Sequence, residues 1–389
     1  MKKAAVALLL LIIVCLMPGS AFAAADSDDL SSGINDVADS IDLSAIEQYA
    51  SEMDVDAAEL LGFSSVRDYI KNAVSGDAAI EYGTLFRYML EALKASALKF
   101  LPLMLAVTAV AVASSLIDSV KGGFASESVS EIVHLACVGI ILVLLLSQFT
   151  QVIGAAAEII TDIRKQSEAF FPVLLTLMTA AGAGASAGVY QPGVLILTSG
   201  IITLVSAAAL PAFIFSTAFT AVGNLTGSGN LRNMSGFFMS ACKWLLSTAF
   251  FLYIAFLSVQ GITASVYDGI TVRTTKFALS KYVPIIGGYL SEGFNTVMAG
   301  SVLIKNSVGL TAVVILIATA APFVINLAVL GLSLKLAAAV VEPLGNSRVS
   351  ELLGGLSKSV GTLAAIIIGL AFLYFILLLL VISTGNIAL

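Results

Sequence analysis

The sequence predicts an all-α, polytopic membrane protein with a small acidic helical head, and three observations carry that reading. Of 389 residues, 59% are hydrophobic and 11% charged, with a mean hydropathy of +1.02, whereas soluble domains hold roughly 45–50% apolar and about 25% charged residues. The apolar residues collect in stretches long enough to cross a bilayer, which takes about 20 residues as a helix. The charges are segregated: Ala24 to Ala95 carries fifteen acids against four bases, and Ser96 to Leu389 ten acids against thirteen bases. An acidic head thus precedes a slightly basic membrane body. No cluster of Lys and Arg is interleaved with exposed aromatics, so nothing points to a nucleic-acid partner.

The chain opens with Lys2 and Lys3, an apolar run from Ala4 to Met17, a Pro18-Gly19 break and the small-residue site Ala21-Phe22-Ala23. This is the layout of a secretory signal peptide over residues 1–23, cleaved after Ala23. An uncleaved anchor is the alternative, disfavoured because the run is shorter than the ~20 residues of a span. Residues 24–95 then read as an extracytoplasmic head of short helices. Ser44 and Glu47 have capping-box spacing, and Ile46, Tyr49 and Met53 follow on one helical face. A second helix starts near Ser65 and stops at Gly76, and a third runs from about Asp77 toward the membrane. A unit this small needs the membrane or a partner to complete its core.

The membrane domain is predicted over 96–389. Leu98 to Ile117, Ile132 to Ile153, Gly193 to Val222, Phe237 to Gln260, Leu310 to Val340 and Val360 to Ile382 are clear spans. Two further segments are apolar but rich in breakers: Phe171 to Gly188, ending in Gly182, Gly184 and Gly188, and Val283 to Ile304, with Pro284, Gly287, Gly288, Glu292, Gly293 and Asn295. Both read as broken or re-entrant helices, which lipid accepts only where protein or a wet cavity covers the freed backbone groups. The count is therefore seven to eight spans.

The two segments suggest an internal repeat. Pro172 and Pro211 match Pro284 and Pro322, and each pair follows a span and a charged connector, so residues 131–222 and 237–340 read as two copies of one module. Crossing segments make the copies inverted, and re-entrant ones make them parallel. With the head outside, eight crossings place Lys121, Arg273, Lys276, Lys281, Lys335, Arg348 and Lys358 inside against Arg164, Lys165, Arg232, Lys243 and Lys305 outside. Re-entry makes the tally equal, so the positive-inside rule leans toward eight crossings.

Ionisable groups near spans are the first candidates for function. Glu292, between Gly288 and Gly293, could serve a small ion or proton site at half-helix ends, or lie in an interfacial loop. Lys305, beside Asn306, and Lys335 read as snorkelling to headgroups. Pro172, Gly182, Gly184 and Gly188 read as close-packing positions or as a hinge. Catalytic constellations are missing: the chain has one histidine, no HExxH and no GxxxxGK[ST], so no enzyme, metal or cofactor is implied and an ATPase would be a separate partner. Cys137 and Cys242 sit in apolar runs without metal spacing and read as packing residues.

Three parts of this layout carry a family resemblance: the signal with its acidic head, the helix AIEYGTLFRYMLEALKASALKFLPLM leading into the first span, and the block KYVPIIGGYLSEGFNTVMAGSVLIKNSVGL from Lys281 to Leu310. Together they resemble the stage III sporulation protein AE family of spore-forming bacteria. The resemblance implies a protein made in the mother cell and placed in the membrane around the engulfed forespore. There it would join other stage III sporulation membrane proteins, including an ATPase subunit, in an assembly linking the two cells. That assembly is related in parts to secretion machines and needed for late forespore gene expression. The family supplies no catalytic residues to carry over. The function expected is a membrane platform or channel-like subunit, with a secondary transporter of a small solute or ion as the alternative.

Overall fold

The computed structural model describes residues 42–52, 70, 82–119, 127–226, 228–282, 287–344 and 347–384, and every element among them is helical. A short helix, α1 (Ser44–Glu52), precedes the long helices α2 (Tyr82–Ser119) and α3 (Glu127–Ala180). After a turn come α4 (Gly184–Leu195) and α5 (Leu210–Thr226), joined through two wider π-helical turns, Ile196–Ile201 and Val205–Ala209. The chain ends in α6 (Gly229–Tyr282), α7 (Gly287–Val341) and α8 (Ser347–Ser383).

Six helical stretches are long and apolar enough to cross a membrane: Phe86–Leu116, Ala136–Ala180, Gly184–Asn224, Gly229–Val259, Val297–Val341 and Val349–Ser383. Each clear apolar stretch of the sequence falls, within a few residues, in one of them. The two doubtful segments form no helices of their own. Phe171 to Ala180 is the end of α3, with Pro172 inside the helix, and α7 runs unbroken from Gly287 through Ile304 into its span. Neighbouring helices can shelter glycine and proline within a membrane helix, so Pro172 is carried inside α3 and the first segment breaks only at Gly182, while Pro284 of the second lies outside the described residues. Among the described residues the expected seven or eight spans become six long apolar helices.

These helices are longer than a bilayer requires. α3 and α6 have 54 residues each and α7 has 55, roughly 80 Å at 1.5 Å per residue, against a hydrocarbon core of about 30 Å. α7 lies at the centre, packed against α2, α3, α6 and α8. Its pairing with α8 is antiparallel: Lys305 meets Ile382, the Ser357 hydroxyl donates to Gly331 O at 2.8 Å, and the Ser350 hydroxyl donates to Ala338 O at 3.2 Å. In that register Gly287 to Ile304 extends past the end of α8, by roughly 27 Å.

The head docks through α1. Leu43, Ile46 and Tyr49 are buried, as the helical period predicted for the last two, while Met53 and the helix expected after Ser65 lie outside the described residues apart from Ile70. Tyr49 packs edge-on against Phe170 of α3 at 6.4 Å, and Glu52 pairs with Lys165 at 2.8 Å. The cap differs from the predicted box. Ser44 is the first helical residue, and its N–H donates to the Asp42 carboxylate at 3.0 Å. The third head helix is continuous with the first span as α2, so the boundary at residues 95 and 96 falls within one helix.

Candidate functional site

The described part of the molecule is interrupted most sharply at the turn between α3 and α4, where the sequence reads Ala180-Ala-Gly-Ala-Gly184. Gly182 has a φ of +83°, a conformation L side chains rarely adopt. Its N–H donates to Thr179 O at 3.1 Å and that of Ala183 to Met178 O at 2.8 Å, which together close α3 as a Schellman motif. The turn is also crowded: a Cβ on Gly182 would lie 2.7 Å from Met298 Cε of α7 and 2.8 Å from Val272 Cγ2 of α6. Gly184 and Gly188 behave differently. Both are exposed, and the nearest neighbour to a Cβ at Gly184 is Thr179 at 3.7 Å, with none within 4 Å at Gly188. Of the three glycines, only Gly182 makes the close approach expected of all.

The restart of the helix needs help from elsewhere in the chain. The N-cap position of α4 is Ala183, which has no side-chain oxygen, while the first amides of a helix require acceptors. Asp268 of α6 supplies them. Its Oδ1 accepts from the amides of Ala185 at 2.9 Å and Ser186 at 3.3 Å, and its Oδ2 accepts from the Ser186 hydroxyl. Both Asp268 and Ser186 are buried. Asp268 was not among the sequence candidates. Its signal was faint: a single acid in the otherwise uncharged run from Lys243 to Arg273.

From this capped end, α4 is tied to two other helices. Tyr253 of α6 donates to Gly193 O at 3.2 Å, and the Tyr190 hydroxyl lies 3.3 Å from Thr384 Oγ1 at the end of α8. There Lys305 enters from α7. Its ammonium donates to Ile382 O at 2.9 Å and to Thr384 O, and the side chain is fully buried. This corrects the snorkelling expectation. Lys305 caps the carbonyl end of α8, where unpaired carbonyls and the helix dipole both favour a cation. Lys335, in contrast, is exposed. Asn306 is half-buried, and its Oδ1 has no hydrogen-bond partner among the described residues.

The remaining candidates do not join this cluster. Gly287, Gly288, Glu292, Gly293 and Asn295 fall in the first turns of α7, where the Glu292 and Asn295 side chains lie outside the described residues, as does Pro284 altogether. Pro172 is exposed and lies well before the turn at Gly182. It therefore marks no break. Among the described residues, no three His, Cys, Asp or Glu side chains come together to hold a metal ion. The arrangement is a clamp: the backbone ends of α4 and α8 are held by Asp268 and Lys305.

Comparison with known proteins gives this architecture a family. A family model described as stage III sporulation protein AE matches residues 64–385. The chain is also 30% identical over 273 residues to stage III sporulation protein AE of Bacillus subtilis (strain 168), covering 70% of this chain and 68% of that protein. No solved structure matches.

Proposed function

Taking as premise that the chain belongs to the stage III sporulation protein AE family, we propose that it is a membrane platform or channel-like subunit of a complex bridging mother cell and forespore. Membership supports a role in sporulation and association with other sporulation proteins, and six apolar helices support a multi-pass membrane location. The finer reading rests on the way the head meets the membrane body. α1 sits on α3 near Lys165 and Phe170, through Tyr49 against Phe170 and Glu52 against Lys165. A head exported behind a cleaved signal peptide would bring that part of α3 to the extracytoplasmic side. The helix ends near it, α3 to α4 and the close of α8, would then face the space between the two membranes.

In this reading the head, residues 24–95, and the protruding ends of α3, α6 and α7 dock partner membrane proteins, and a separate ATPase subunit supplies energy. The membrane is the mother-cell membrane around the forespore. The experiment is isolation of the full-length protein from sporulating cells in mild detergent. Stable co-purification with other stage III sporulation membrane proteins is expected. A protein that purifies alone and mediates solute flux in vesicles, with flux abolished by Glu292→Gln, would replace the platform by a transporter. A cytoplasmic C-terminal tag would overturn the orientation, because six or eight crossings both return the C-terminus to the head side.

A further inference from the structure

Among the described residues, the interior of the bundle contains polar atoms that lipid cannot satisfy, and they lie on three helices. Among the described residues, buried side-chain atoms without a hydrogen-bond partner include Gln148 Nε2 and Gln166 Oε1 on α3, Ser301 Oγ, Ser307 Oγ and Asn326 Oδ1 on α7, and the Tyr374 hydroxyl on α8. Gln166, Ser301, Ser307 and Tyr374 are fully buried. None of the unpaired atoms described belongs to α2, α4, α5 or α6. Each such group left dry in a membrane interior is strongly unfavourable, because nothing there replaces its lost hydrogen bonds to water.

Helix geometry places most of these groups, Ser307 apart, along one seam. On α7, Lys305, Ala312, Thr319 and Asn326 recur every seven residues, which is close to two turns and keeps them on one face. On α3, Gln148 and Gln166 are separated by eighteen residues, or about five turns, and share a face likewise. The two faces meet: Gln166 Nε2 donates to Ala312 O at 2.7 Å. Toward the head side the same antiparallel register leads to Gly182 beside Met298. Continued the other way without change, that register would bring Gln148 to within about one turn of Asn326. Tyr374 joins from α8 through its edge-on packing on Phe171 at 5.5 Å.

α1 covers one end of this seam. Tyr49 stands on Phe170, one turn beyond Gln166. Unpaired oxygens here outnumber unpaired nitrogens, and no strong acid or base is spent among them. The ligand that meets this mixture of acceptors and hydroxyls is water, which donates and accepts and makes about three bonds per buried site.

We propose that α3, α7 and α8 enclose a water-filled polar track running from the Gln166–Tyr374 level to the Gln148–Asn326 level, and that α1 is the lid over its head-side end. The proposal does not depend on the sporulation complex. Its test uses the full chain in lipid vesicles, with Cys15, Cys137 and Cys242 replaced by serine and single cysteines introduced as Gln148→Cys, Asn326→Cys and, facing outward on α6, Phe251→Cys. The probe is a small cationic methanethiosulfonate reagent, which reacts with ionised thiols in water. Gln148→Cys and Asn326→Cys should react roughly tenfold or more faster than Phe251→Cys, since ionisation needs water. Equal rates at all three sites would mean a dry seam and overturn the track. Adding Ile46→Ala and Tyr49→Ala should raise the two inner rates a further tenfold or so, as the lid loses its buried anchors. An unchanged rate would overturn the lid. An unaltered detergent elution profile reports that each variant is folded.

Discussion

α6 and α7 are nearly equal in length, at 54 and 55 residues, and both contain a stretch that could cross a bilayer, yet they are built in opposite senses. In the apolar window of α7, 67% is buried within the protein, against 22% in α6. α6 turns Phe237, Trp244, Phe251 and Leu252 outward, where lipid or a partner helix is the natural neighbour. α7 turns Lys305, Thr319 and Asn326 inward. The comparison teaches that hydropathy alone does not distinguish an outer helix from a central one. The polar minority does, because it is tolerated only where other helices surround it.

The strongest way to break this contrast is at the centre. Lys305→Glu would place a carboxylate against the carbonyls of Ile382 and Thr384, and should cost about 3–5 kcal/mol, the range for an uncompensated buried charge. Thermal unfolding in detergent should show it as a large fall in Tm, with a smaller fall for Lys305→Met. If Lys305→Glu unfolds like wild type, the ammonium does not hold the end of α8.

Next is the turn where α6 and α7 both press on α3. Gly182→Val combines a disfavoured φ with collisions at Val272 and Met298, and should cost roughly 2–4 kcal/mol. Adding Met298→Ala should return part of that loss, whereas full additivity of the two changes would mean that the crowding is not what makes Gly182 necessary. Asp268→Ala should be milder, about 1–2 kcal/mol as for a lost helix cap. Hydrogen exchange at the Ala185 and Ser186 amides should quicken, and Asp268→Asn should retain most of the protection.

Smaller still is a pH effect at the head. The hydrogen bond from Lys165, with a lesser one from Gln48, holds the Glu52 carboxyl below its ordinary value. A carboxyl with a depressed folded pKa stabilises the docked form above its undocked pKa and loses that contribution as pH falls through the docked one. Exchange protection over Ser44–Glu52 should therefore drop on acidification below the usual carboxylate range, and Glu52→Gln should flatten that component. The smallest effect belongs to the outer face: Trp244→Phe should change stability by no more than about 0.5 kcal/mol. A larger loss, accompanied by a change in co-purifying proteins, would mean that a partner and not lipid covers α6.

Much of the architecture was readable because apolar run length and helical period are local properties. Six spans, the buried Ile46 and Tyr49 face and the break near Gly182 all follow from residues close in sequence. Asp268 capping Ser186 does not, since 82 positions separate them and the donor helix says nothing about which distant acid will meet it. Lys305 misled for a related reason. A lysine near the end of an apolar run resembles a snorkelling one until the carbonyls of the last helix are seen beside it. The seven-residue recurrence of Lys305, Thr319 and Asn326 was present in the sequence and marks the inward face of α7. The matching of Pro172 with Pro284 was a weaker guide, because Pro172 sits inside a continuous α3.

The glycine contacts of α8 have a mechanical consequence. Gly355 leaves room for Thr220 of α5, Gly369 for the ring of Phe250 on α6, and Gly309 of α7 for Ile382 of α8. At each place a side chain beds directly onto neighbouring backbone, like a cog seated in a notch. Rotation or axial sliding of α8 would lift all three teeth at once. A push arriving at either end would therefore tilt α5 to α8 as one lever, and the flexible element needed for independent movement would have to lie elsewhere.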